Sequence, residues 1–139
     1  MRRLFAIAAV AALSTALMVP AQANNVLPDF TVALSGDEEV GGGDPDGSGI
    51  ARVDFGGDQV CFIIDLTGVE DVTAAHIHAA PAGVNGPIVI DFDIPNNGLE
   101  GCVTSDRQLM RQILRNPAGY YVNVHSVPFP AGAVRGQLG

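Results

Sequence analysis

Short segments rich in Val, Ile, Phe and Tyr recur along this chain, broken at near-regular intervals by Gly, Pro, Asn and Asp. That rhythm constrains the fold more than any other feature. DFTVALSG, GIARVDF, QVCFIIDL, AAHIHAA, PIVIDF, LEGCV, YYVNVHS and AVRGQL are each of strand length, and their β-branched and aromatic content suits a pleated, half-buried surface. Phe55-Gly56-Gly57-Asp58 separates two of them and reads as a hairpin turn, because glycine reaches the positive φ that tight turns demand. The spacing predicts a single all-β domain, β-sandwich-like in an immunoglobulin-like or Greek-key arrangement.

One stretch breaks the pattern. In SDRQLMRQILRNPAG, Leu109, Met110, Ile113 and Leu114 fall on one helical face, Ser105 with Gln108 resembles a capping box, and Asn116-Pro117 stops the run. This predicts one short helix near residues 105–115, packed on the strands. Its other face carries Arg107, Arg111 and Arg115, which read as a solvated stripe or as partners for acidic loops.

The chain opens MRRLFAIAAVAALSTALMVPAQA: a basic start, an apolar run and a small-x-small site at Ala21-Gln22-Ala23. That is the pattern of a Sec-type signal peptide over residues 1–23, followed by a short lead at 24–29 and a domain at 30–139. The expected location is periplasmic or extracellular, with no transmembrane segment in the mature chain. After cleavage, fifteen acidic residues face five arginines and no lysine. Such a surface repels polyanions, so nucleic acid is not an expected partner.

Two cysteines occur, Cys61 and Cys102. In an exported chain a single disulfide is the leading reading, with free thiols or a Cys/His metal site as alternatives. On the chain-entropy view, closing a loop of about forty residues stabilises the fold by roughly 4 kcal/mol at most.

The chemistry rests on three histidines. His76 and His78 are two apart on a strand-like segment, so both rings project from one face with Cα atoms roughly 6.5–7 Å apart. His125 lies in YYVNVHS, where Tyr121, Asn123 and His125 alternate with Val122 and Val124. If these strands are neighbours, the imidazoles form a three-histidine set suited to copper or zinc. The competing reading is three structural rings, each hydrogen-bonded to a carbonyl or carboxylate. Arg135, between Val134 and Leu138, needs a carboxylate if buried, and Glu39 in LSGDEEV is the candidate for a structural charge pair between the first and last strands. No catalytic residues are expected: Ser48 lacks a nucleophile elbow, and the chain has no tryptophan to line a sugar cleft. Asp44-x-Asp46-Gly47 opens like a calcium loop, but the twelfth position is Phe55 where a carboxylate is required.

AHIH followed by AGVNGPIVI, then YYVNVHS, then PAGAVRGQL, closely resembles the CHRD domain, a module named after chordin and found alone in many exported bacterial proteins. LSGDEEV and QVCFIIDLTGV are similar to that family's opening strand and second hairpin. The resemblance spans about residues 30–139. It departs at Gly41-Gly42, where paired prolines are usual, and at Ala80, Ser126 and Ala133. It implies a β-sandwich-like binding or interaction module without an established reaction, whose partner is an exported or extracellular protein or a small ligand. A looser likeness is to Cu/Zn superoxide dismutase, through His-x-His and a late-strand histidine, and it stops at three imidazoles. The alternative function is thus a small copper or zinc protein, redox-active only if copper is bound.

Overall fold

A computed structural model describes residues 29–139; the expected signal peptide, and all but the last residue of its lead, lie outside the described residues. Eight strands follow in order: β1 (Phe30–Ser35), β2 (Ser48–Gly56), β3 (Gln59–Thr67), β4 (Val72–Ala79), β5 (Ile88–Asp91), β6 (Glu100–Thr104), β7 (Tyr120–Ser126) and β8 (Val134–Gln137). Each falls on one of the eight β-prone segments. The all-β domain with one short packed helix is what the chain forms.

The strands make one antiparallel sheet in the order β5-β4-β7-β8-β1-β2-β3-β6. The sheet curls over a core built from both of its halves, including Val53, Val60, Phe62 and Ile64 from one and Ala75, Ile77, Val122 and Val124 from the other. Phe62 of β3 stacks on Phe92, just after β5, with ring centroids 4.3 Å apart. The sandwich therefore takes the form of a single folded-over ladder. Alternation explains which residues enter it: Val60, Phe62 and Ile64 are buried, while Ile63 between them and Asp65 after them are exposed.

The helix near 105–115 is α2 (Arg107–Arg115), which follows a four-residue helical turn, α1 (Ile94–Asn97). Met110 and Ile113 are buried against the sheet, while Leu114 stays exposed. The cap falls one residue later than the Ser105 box. Asp106 Oδ1 accepts from the Gln108 and Leu109 amides, each at 2.9 Å, and a carboxylate serving two helix-start N–H groups is a strong N-cap. Arg107, Arg111 and Arg115 are exposed and form no ion pair among the described residues. No helix among the described residues is long and apolar enough to cross a membrane.

Cys61 and Cys102 are directly opposed across β3 and β6 and form a disulfide. It lies on the outer side of the sheet, since Val60 and Phe62 beside Cys61 point inward.

Candidate functional site: a buried polar face with three histidines

On β4, Ala75 and Ile77 are fully buried in the apolar core, which turns His76 and His78 to the opposite, outer side. On β7, Val122 and Val124 face the core, so Tyr121, Asn123 and His125 share the outer side with them. The β4–β7 register sets His78 opposite Tyr121, His76 opposite Asn123 and Ala74 opposite His125. Arg135 and Gln137 of β8 continue the same row, opposite Asn123 and Tyr121.

An outer sheet face normally meets solvent. Here His76 and His78 are each 8% exposed, and Tyr121, Asn123 and Arg135 are 5% exposed or less. Segments 36–44, 80–87 and 127–133 all send backbone or side-chain groups to this row. The result is a second, polar core on the far side of β4, β7 and β8.

The three histidines converge. One ring nitrogen from each lies within 4.8 Å of the others, and ring centroids are 5.0 Å (His76–His125), 5.5 Å (His76–His78) and 6.3 Å (His78–His125) apart. For two of them the tautomer follows from the partner. His78 Nδ1 donates to the Gly86 carbonyl at 2.9 Å and His125 Nδ1 to the Pro130 carbonyl at 3.0 Å; a carbonyl can only accept, so Nδ1 holds the hydrogen and Nε2 presents a lone pair. His76 Nε2 faces Asp91 Oδ1 at 3.9 Å, within charge range but too long for a hydrogen bond. The nitrogens left over, His76 Nδ1, His78 Nε2 and His125 Nε2, are buried without any partner.

Burial holds both strand-β4 rings neutral. His76 sits below the ordinary histidine range because desolvation, and then His125, oppose its charge against the pull of Asp91. His78 is lowered by desolvation, with His125 and Arg135 adding to it and the Gly86 hydrogen bond working the other way. Neutral imidazole is the ligating form. Around a tetrahedral ion with bonds of about 2.1 Å, ligand atoms stand roughly 3.4 Å apart, so small ring rotations bring these three into coordination distance. His78 and His125 also carry a backbone carbonyl on the far nitrogen, as metal-ligating histidines do, and the far nitrogen of His76 faces the Asp91 carboxylate at 3.9 Å. The set fits copper or zinc, and it contains no cysteine.

Next to this cluster lies the charge pair. Arg135 Nη2 is 3.2 Å from Glu39 Oε2, with both side chains almost wholly buried. Asn123 Nδ2 also donates to Glu39 Oε1. The carboxylate lies against Gly132, where φ is +146° and a Cβ would meet Glu39 Oε1 at 2.6 Å; any other residue there displaces the pair. Burial raises the Glu39 carboxyl above its ordinary value, against the opposing pull of Arg135 and Asn123. Arg135 makes further bonds from Nη1 to Val84 O (3.2 Å) and from Nη2 to Asn85 Oδ1 (2.5 Å), and its guanidinium lies 4.0 Å over the Tyr121 ring. Asp44 serves a turn: its Oδ1 accepts from the Asp46 amide at 3.1 Å.

Sequence reasoning reached the histidines, Glu39 and Arg135 but assigned no role to Tyr121, Asn123, Asn85 or Gly86. Alternation in YYVNVHS already puts Tyr121 and Asn123 on the histidine face. The contribution of the 80–87 loop depends on how it folds back, which no local pattern encodes.

No match is found among curated proteins, and none among solved structures. A family model of the CHRD domain matches residues 30–138. The match runs from the first residue of β1 to one residue past β8, taking in every strand and every residue of the polar face, and so the chain belongs to the CHRD domain family.

Proposed function

We propose that this chain is an exported CHRD binding module whose ligand is a transition metal, copper or zinc, held by His76, His78 and His125. One observation carries the reading: three buried ring nitrogens, one from each histidine, have no partner and lie on one polar face. A buried acceptor without a hydrogen bond costs roughly 1–3 kcal/mol. The lone pairs of His78 Nε2 and His125 Nε2 also repel one another, and a single cation satisfies all three nitrogens. The disulfide agrees with an oxidising, exported location.

On this reading the module has no reaction of its own. Three protein ligands leave a coordination position open, and copper bound there would supply redox chemistry. Burial favours the neutral form of His76 and His78, and the Gly86 and Pro130 carbonyls fix the tautomers of His78 and His125.

Metal content of the protein purified from its exported compartment, with calorimetry using Cu(II) and Zn(II), tests this. The unsubstituted protein binds one equivalent, and His78→Ala and His125→Ala lose binding by at least tenfold. Wild-type affinity in both variants overturns the proposal. A second reading rests on the family itself: CHRD domains are interaction modules, and a metal-free protein that captures an exported protein or small ligand through the same loops would support it.

A further inference from the structure

We infer that Tyr121 and Gly86 are positioning residues for His78, and that the loop from Ala80 to Pro87 and the histidine site form one coupled unit. This rests on the metal reading above and adds to it what selects the ligating nitrogen and what part of the surface responds.

Gly86 is the pivot. Its amide donates to Tyr121 Oη at 3.2 Å, and its carbonyl accepts from His78 Nδ1 at 2.9 Å. One peptide segment therefore ties a tyrosine hydroxyl to the tautomer of a histidine. Such close approach demands glycine, because a Cβ at position 86 would sit 2.1 Å from the Ala79 carbonyl oxygen. Tyr121 acts on His78 a second way, through stacked rings 4.8 Å apart and 6° from parallel. Its hydroxyl, through Gly86, sets which nitrogen of His78 carries hydrogen, and its ring sets the plane in which the other nitrogen points.

The loop is fastened elsewhere to the same polar face. Arg135 donates to Val84 O and Asn85 Oδ1, and Gln137 Nε2 donates to Ala80 O at 3.0 Å. A cation on His78 Nε2 withdraws electron density from the ring and makes Nδ1–H a stronger donor to Gly86. Metal thus tightens the loop, and by linkage a loosened loop weakens metal by the same factor.

Tyr121→Phe keeps the ring stack and removes only the hydroxyl. Zinc affinity, measured by calorimetry, is expected to fall about tenfold, the lower end for loss of an outer-shell contact. In the metal-free protein, ¹⁵N NMR is expected to show His78 as the Nδ1–H form, and a mixture of tautomers in Tyr121→Phe. Zinc is expected to slow hydrogen exchange of the loop amides in the unsubstituted protein and to leave it unchanged in His78→Ala. Asn85→Ala, which removes one loop fastening, gives the same direction of change should Tyr121→Phe fold poorly. An unshifted tautomer together with unchanged zinc affinity in a folded Tyr121→Phe overturns the positioning role. Failure of the unsubstituted protein to bind zinc or copper, with the tautomer still shifted by Tyr121→Phe, overturns the metal reading instead and leaves the Tyr121–Gly86–His78 chain standing.

Discussion

The outer side of the sheet has two halves that obey the same alternation and end in opposite environments. On β2, β3 and β6 the outward residues include Arg52, Cys61, Ile63, Asp65 and Cys102; Ile63 is 40% exposed, and Arg52 meets Asp65 in an ion pair of 2.6 Å open to solvent. On β4, β7 and β8 the outward residues include His76, His78, Tyr121, Asn123 and Arg135, which are covered, and His125, which is half-buried. Strand periodicity chooses which residues point outward. Loops decide whether pointing outward means meeting water, and the chemistry lies where they do not let it.

The largest expected contrast is between two arginines. Arg135→Ala strands Glu39 in a buried site and is expected to cost about 3–5 kcal/mol, whereas Arg52→Ala removes a solvated pair and costs at most about 1 kcal/mol. Denaturant midpoints measure both, and equal midpoints would break the distinction between the two faces. Next comes the staple on the open half. Replacing Cys61 and Cys102 together by alanine is expected to cost about 2–4 kcal/mol while leaving metal affinity unchanged; a parallel loss of affinity would show that the halves are mechanically joined.

A third test uses pH. His76 and His78 have lowered pKa values in the folded chain, so the unfolded state takes up protons first as pH falls. Stability of the metal-free protein is therefore held above about pH 6.5, the ordinary histidine value, and declines as pH drops through the folded values. Thermal midpoints from pH 8 to 5 would follow it, and a flat profile in His76→Ala, His78→Ala double variants would assign the decline to this face. The smallest effect is expected on the helix: Arg111→Ala should lie within about 0.5 kcal/mol of wild type, and a larger loss would reveal a carboxylate partner for the α2 stripe.

Much of this was legible in the residues because strands write their facing into a period of two. His76, His78 and His125 could be placed on shared faces from spacing alone, and Arg135 amid apolar neighbours signals a need for a carboxylate. The remainder depends on contacts distant in sequence. Asn123 is 84 residues from Glu39, and Gly86 looks like any turn glycine until its neighbour Ala79 is seen. The cap of α2 shifted from Ser105 to Asp106 because two acceptable capping residues stand side by side, and only the chain's entry direction separates them.

The two free edges of the sheet are β5 and β6, neighbours in sequence yet last in line at opposite ends of the ladder. The segment between them runs from one flank to the other: the Phe92 amide bonds to Ala75 O, and Leu99 O accepts from the Ile64 amide. An exposed edge is the usual template on which a foreign strand can grow, and here the templates are four and five residues long, with chain already crossing between them. That arrangement, with Asp91 and Glu100 exposed on the two edge strands, guards against edge-to-edge aggregation.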